Sequence, residues 1–270
     1  MSTLVHPEAR ASETTPLLRR DEAGIAHLTL NRPAARNALS IALMTALEAE
    51  LAAIAHDDSV KVVVIGGAGP AFCAGHDLRE MRANPDRETY EALFTQCSRL
   101  MLAITHLPKP VIARVHGIAT AAGCQLVATC DLAIAADNTR FATPGVNIGL
   151  FCSTPMVALT RAVSRKAAMA MLLTGEMIDA AEALRIGLVN QIVAEAALDR
   201  AVGDLAAKIA GKSPLTVAIG KEAFYRQADM PLESAYAYAA ETMTRNMLAR
   251  DAEEGIDAFL QKRAPVWQGC

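Results

Sequence analysis

The chain has 270 residues, 52% of them apolar and 20% charged, with a formal net charge of −3. That length can bury a large core, and the balance is that of an ordinary soluble globular protein. It lacks the basic field that nucleic acid or an anionic membrane surface requires, and aromatics at 4% offer few base-stacking platforms.

Residues 1–15 hold Ser, Thr and Arg but no apolar run, so no secretory signal is expected. With Glu8 and Glu13 they read as a disordered tail rather than a transit peptide. A cytoplasmic location is expected, with a mitochondrial-type one as the alternative. LLRRDEAGIAHLTL (17–30) gives two strand-like runs broken at Glu22–Gly24, which signals a hairpin. NRPAARNALS is a polar loop, and Ser40 is placed to cap a helix over 41–57. VKVVVIGG (60–67) is a continuous β-branched run, as in a strand buried on both faces.

The loop GAGPAFCAGHDL (67–78) follows that strand directly. It has neither GxGxxG nor GK[ST], so a nucleotide cradle fits poorly. Its glycines permit close backbone approach to a ligand, or simply a tight strand-to-helix turn. A polar helix is expected from about Arg87 to Thr105, ended by Pro108 and Pro110. VIARVHG then reads as a strand, ATAAG as a small-residue loop, the segment holding Gln125 as a helix, and DLAIAAD as a strand. Such alternation implies β–α units around a parallel sheet.

The charge-free stretches 115–130 and 141–160 are too short or too rich in Pro and Gly for a membrane span. Downstream, Asp179–Glu182 and Asp251–Glu254 have capping-box spacing, and Ser213-Pro214 reads as an N-cap with proline at the first helical position. The expected organisation is a tail at 1–15, an α/β core at 16–200 and a helical region at 201–270. None of Cys73, Cys97, Cys124, Cys130, Cys152 and Cys270 falls in a CxxC or a zinc-type Cys/His spacing, so reduced thiols without a metal are expected.

The small residues at 119–123 stand where a helix begins, and the first amides of a helix are unpaired within it. Such an end stabilises an anion or a developing oxyanion, and bulky side chains would block it. Close helix packing explains Ala and Gly equally well. Two loops of this kind could each lend one N–H to a single carbonyl oxygen, as an oxyanion hole does.

Taken together, LNRPAARNALS, AFCAGHDL, PKPVIARVHG, AAGCQLVATCDLAIA, LTG with DAAEALRIGLVN, and FLQKRAPVW resemble the crotonase (enoyl-CoA hydratase/isomerase) superfamily over about residues 17–267. The resemblance implies an α/β spiral of ββα units with a C-terminal helical region that trimerises. It also implies coenzyme A thioester ligands, no prosthetic group, and a homotrimer or dimer of trimers. By position, the two donor amides would be those of His76 and Ala122. Ala35, Arg36 and Ala38 match the loop along the CoA nucleotide, and Ala74, Asp77, Leu78 and Gly123 match segments beside the thioester and pantetheine. Lys262 matches a basic residue near the CoA phosphates.

Two departures bear on chemistry. Hydratases of the family carry Glu where this chain has Gln125, and a second Glu where it has Gly145. Hydration needs a carboxylate to take a proton from water and an acid to protonate carbon. Glutamine orients water without exchanging protons at neutral pH, and glycine does neither. His76, Asn147, Cys152, Ser153 and Thr154 are the candidate substitutes, with Cys152 a nucleophile for thioester cleavage if a base adjoins it. FATPGVNIGLFCSTP, with CAGHDL and QKRAPVW, looks most like the subgroup of enoyl-CoA hydratase domain-containing protein three. The expectation is an acyl-CoA-binding protein that stabilises a thioester enolate without ordinary hydration. The alternatives are a non-catalytic acyl-CoA binder or regulator, or another acyl-CoA reaction such as thioester hydrolysis or decarboxylation. Gln125→Glu with Gly145→Glu is expected to confer some hydratase activity.

Overall fold

The computed structural model describes residues 15–270, so the first fourteen residues of the expected tail lie outside it. Strands β1 (Leu17–Glu22) and β2 (Ile25–Leu30) form the expected hairpin, turned by Ala23 and Gly24 at positive φ. Helix α1 (Ile41–Ala55) starts where Ser40 Oγ accepts from the Leu43 amide at 3.2 Å. Strand β3 (Val62–Gly67) is followed by α2 (Leu78–Ala83) and α3 (Arg87–His106), then β4 (Val111–Val115) and β5 (Ile118–Thr120). Next come α4 (Ala122–Thr129), β6 (Leu132–Ala136) and β7 (Arg140–Ala142), a 3-10 turn at Pro144–Ile148, α5 (Ser153–Ala162) and α6 (Arg165–Thr174). The chain continues through β8 (Ile178–Asp179), α7 (Ala180–Ile186) and β9 (Gln191–Val193), and ends in α8 (Leu198–Ala210), α9 (Pro214–Ala228), α10 (Leu232–Met247) and α11 (Arg250–Gln261).

The strands make a six-stranded sheet in the order β1-β2-β3-β4-β6-β9 and a three-stranded sheet β5-β7-β8. The large sheet is parallel apart from the β1–β2 hairpin. Gly117, at φ 63°, turns the chain from β4 in the first sheet to β5 in the second; a Cβ there would run into the Pro70 carbonyl. Single bridges Leu39↔His76 and Cys73↔Ala119 extend the small sheet beyond its named strands. Each turn of the chain therefore lays one segment in each layer and returns by a helix, which is the ββα spiral that the motifs imply.

Period-two burial explains the β-branched run at β3. Val63 and Ile65 join the main core with α1, α3 and α4, while Val62 and Val64 face Leu198, Val202 and Ala206 of α8. Two capping expectations have the predicted form: Asp179 accepts from the Glu182 amide at 2.8 Å, and Ser213 accepts from Thr216 at 3.2 Å ahead of Pro214. The third does not. Helix α11 begins two residues earlier than an Asp251 cap requires, behind Ala249, and Asp251 turns inward to accept from Ser213 Oγ and from the amides of Gln268 and Gly269.

Candidate active site

The site grows from how the 73–78 segment is pinned. Leu39 donates its amide to the Gly75 carbonyl at 2.7 Å and accepts from the Asp77 amide at 3.3 Å. In such a parallel bridge the intervening residue, His76, turns its own N–H and C=O to the opposite side. Further ties fix the segment: Ala74 N–H to the Arg36 carbonyl at 3.0 Å, and Thr120 Oγ1 to the Ala74 carbonyl at 3.1 Å. Arg36 and Asn37 both take left-handed φ, and the buried Asn37 side chain donates to the Ala68 and Ala71 carbonyls. The polar loop at 31–40 is thus a rigid brace.

Asp77 ends the segment by capping α2 and pairing with Arg32, Nη2 to Oδ2 at 2.9 Å. Burial alone would raise this carboxyl, but Arg32 and the amides of Arg79 and Glu80 outweigh it and hold the group below its ordinary range.

The second loop meets the first glycine to alanine. A Cβ on Gly75 would stand 2.9 Å from Ala121 Cβ and 3.4 Å from the Ala122 amide nitrogen. A Cβ on Gly123 would overlap the Cys73 carbonyl. The small residues therefore do two things: they let the start of α4 lie flush on the 73–76 segment, and they leave its end bare. Ala121 is the N-cap at φ 50°, ψ −119°, a strained conformation for alanine, held by its N–H to the Ala142 carbonyl at 2.9 Å. Among the described residues neither the His76 nor the Ala122 amide donates to a protein acceptor. Two unspent amides, one at a helix N-terminus, thus stand on segments that touch through Gly75 and Ala121.

Around them the wall is apolar and thiol-lined. The His76 ring meets Phe94 edge-on at 5.8 Å between centroids. One turn further along α3, Cys97 Sγ lies 3.8 Å from Gln125 Oε1. Burial pushes the Cys97 and Cys124 thiols up to about 12, so neither is ionised near neutrality. Burial also lowers the His76 imidazole, with the Leu39 backbone opposing. Both ring nitrogens are buried, and neither makes a hydrogen bond of ordinary geometry among the described residues.

Gly145 is buried, and its position excludes a side chain. A Cβ there would overlap the Leu150 carbonyl and stand 2.9 Å from Cys152 Sγ. The 145–152 turn closes over the direction in which a second acidic side chain would leave. The expected gain from Gly145→Glu is therefore sterically barred on this backbone. Cys152 is buried and its thiol is raised by that burial, and no base adjoins it among the described hydrogen bonds.

The remaining sequence candidates scatter. Ala35, in a 3-10 turn, and Arg36 lie at the surface side of the brace, and Ala38 is buried beneath it. Leu78 is about half exposed. Asn147 donates to the Gly175 carbonyl, and Ser153 to the Phe151 carbonyl. Lys262 is the exposed left-handed C-cap of α11, a helix that packs on α9 and α10. Sequence reasoning missed Phe94, Cys97 and Thr143. The first two sit three residues apart on one face of α3, a spacing visible in the sequence, whereas Thr143 had no signal. Among the described residues no His/Cys/Asp/Glu group could hold a metal ion, and no helix is long and apolar enough to cross a membrane.

Comparison with known proteins bears out the motif resemblance. A family profile described as Enoyl-CoA hydratase/isomerase matches residues 20–270. The Rattus norvegicus protein named enoyl-CoA hydratase domain-containing protein 3, mitochondrial, is 47% identical over 97% of this chain and 87% of its own length. The crystal structure of the human protein of that name superposes with a TM-score of 0.91 at 48% identity, covering 93% of this chain and 100% of that one. An enoyl-CoA hydratase structure from Mycobacterium smegmatis gives 0.91 at 57% identity, covering 93% and 98%. The chain belongs to the enoyl-CoA hydratase/isomerase, or crotonase, family.

Proposed function

We propose that the chain binds a coenzyme A thioester and polarises its carbonyl between the His76 and Ala122 amides, stabilising an enolate without carrying out ordinary hydration. The single observation behind this reading is the pair of unspent amides, brought together by the Gly75–Ala121 and Gly123–Cys73 contacts. One such donor is worth a factor of about 10²–10³ in rate when oxyanion charge develops. Gln125 and Gly145 supply no proton-transferring group, so crotonyl-CoA hydration is expected to be negligible.

In the same reading Ala35, Arg36 and Ala38 line the nucleotide, Ala74, Asp77, Leu78 and Gly123 line the pantetheine arm and thioester, and Lys262 serves a CoA phosphate. Lys262 stands on the C-terminal helices, where Leu232, Tyr236, Met243, Phe259 and Leu260 are exposed. Those apolar side chains support self-association of the 201–270 region as a homotrimer or dimer of trimers. The Rattus norvegicus relative carries "mitochondrial" in its name, which keeps that location open beside the cytoplasmic one.

Calorimetry with acetyl-, butyryl- and crotonyl-CoA, beside a hydration assay on the same preparation, tests the proposal. Binding of the thioesters with no hydration is the expected result. Absence of binding, or hydration at an ordinary hydratase rate, overturns it. The missing carboxylates equally favour a non-catalytic acyl-CoA binder, for which binding persists and no acyl-CoA is chemically altered.

A further inference from the structure

Buried polar side-chain atoms almost always find a partner, and each exception calls for a cause. Among the described residues three such atoms lack one: Nδ1 and Nε2 of His76, and Oγ1 of Thr143. They are not scattered. His76 is the residue whose backbone bears the first free amide. Thr143 directly follows Ala142, whose carbonyl holds the Ala121 N–H at the start of α4. Unspent polar side chains thus occur on the two segments that frame the amide pair.

Resting on the acyl-CoA reading above, we propose that His76 is the catalytic acid–base residue of this cleft, its imidazole exchanging a proton with the α-carbon of the bound thioester. Three observations carry this. The ring springs from the same residue as the first donor amide, and its two nitrogens are buried with no hydrogen bond of ordinary geometry. It shares a wall with Gln125, because Phe94 and Cys97, one turn apart on α3, touch the two side chains in turn. And the other groups of that wall cannot do the work. Gln125 does not titrate, Gly145 has no side chain, and the Cys97 and Cys124 thiols hold their protons up to about 12.

Burial keeps the imidazole neutral near pH 7, the form a general base needs. Both nitrogens are buried against protein. A half-turn of the ring exchanges each nitrogen with a carbon at nearly constant shape, so either face can present a nitrogen to an acyl chain. The step balances without a co-reactant. The Cα–H bond breaks, its proton goes to an imidazole nitrogen, and the electron pair moves onto the thioester oxygen held by the two amides. The reverse transfer restores the thioester.

In D2O the imidazolium exchanges its proton with solvent, so butyryl-CoA incubated with the protein should gain deuterium at Cα, read by mass spectrometry. The wild-type chain is expected to exceed the buffer rate. His76→Gln, which keeps the backbone amide, should slow exchange by about 10²–10⁴-fold while calorimetric affinity for butyryl-CoA stays within a few-fold. His76→Ala, which only deletes atoms, keeps the test open if glutamine does not fit, and added imidazole should restore part of its exchange. The proposal is overturned if wild-type protein binds butyryl-CoA yet exchanges no faster than buffer, or if His76→Gln exchanges at the wild-type rate. Failure of the wild type to bind butyryl-CoA would instead overturn the acyl-CoA reading on which it rests.

Discussion

Lys221 of α9 places its ammonium 2.7 Å from Asp131 Oδ2, at the end of α4, and also donates to the Ile104 and Lys109 carbonyls. Tyr225, one turn along α9, donates to the other carboxylate oxygen at 2.8 Å, and the Val111 amide donates to Oδ2 at 2.7 Å. This knot ties the C-terminal helices to the entry of β4 and the exit of α4, hence to both ends of the segment that builds the second amide. Burial depresses the Lys221 ammonium against the pull of Asp131, so the ion pair costs desolvation while its partners offset it.

Removing one partner should therefore hurt more than removing both. Lys221→Met leaves a buried carboxylate, and Asp131→Leu leaves a buried ammonium with only carbonyls. Each single change is expected to cost about 3–5 kcal/mol, and the double change much less than their sum. Urea unfolding of the three variants measures the coupling; additive losses would show that the pair acts as two independent contacts.

Gly123 inverts an ordinary helix rule. Alanine is favoured over glycine inside a helix by up to about 1 kcal/mol. Here the added methyl would overlap the Cys73 carbonyl, so α4 would have to lift from the 73–76 segment. Gly123→Ala is expected to destabilise by about 1–3 kcal/mol and to weaken acyl-CoA binding along with it. Thermal unfolding and calorimetry check both halves, and a stabilised variant would show that the contact relaxes freely.

The contrast between these sites shows what the sequence carries. Ser40, Asp179 and Ser213 cap helices because a hydroxyl or carboxylate two or three residues from a free amide is a local event. The β-branched run at β3 declares burial by composition alone. Asp251 spells the same local signal, yet its carboxylate is claimed by Ser213, Gln268 and Gly269, from distant parts of the chain. Helix α2 and strand β5 are too short for periodicity to register. The free amide of His76 is the least legible feature. It exists because Leu39, far back in sequence, takes the groups of Gly75 and Asp77 on either side. Only the resemblance of the motifs pointed to it in advance.

Gly145 sharpens the question of hydration. Gln125→Glu alone adds a carboxylate beside Cys97, whereas Gly145→Glu must displace the Leu150 carbonyl and the Cys152 thiol. The double variant is expected to lose stability by about 1–3 kcal/mol or more and to gain no hydratase activity. Gly145→Ala, carrying only the offending Cβ, should show most of that loss in its thermal midpoint. Appreciable crotonyl-CoA hydration by a folded double variant would mean that the 145–152 turn opens readily.

The C-terminal tail offers a pH test with a built-in probe. Trp267, the single tryptophan of the chain, donates from its indole to the Gly211 carbonyl at 2.9 Å and lies against Gly255. Glu254 anchors this tail: it accepts twice from Arg263, at 2.6 and 2.7 Å, and from the Val266 amide at 2.8 Å. Those hydrogen bonds, Arg263 first, lower the Glu254 carboxyl from 4.5 to about 2. Asp251 is depressed as well; burial opposes, but Ser213 and the Gln268 and Gly269 amides prevail. A carboxyl depressed in the folded chain contributes its stabilisation fully above its unfolded value and loses it as pH falls through the folded one. Tail docking should therefore be constant above about pH 5 and weaken between about pH 4.5 and pH 2. Tryptophan emission should redshift across that window as the indole leaves Gly211. Glu254→Gln, which cannot ionise, should show the shifted emission at neutral pH and flatten the acid transition, whereas an emission curve unchanged by that substitution would show that Glu254 does not hold the tail.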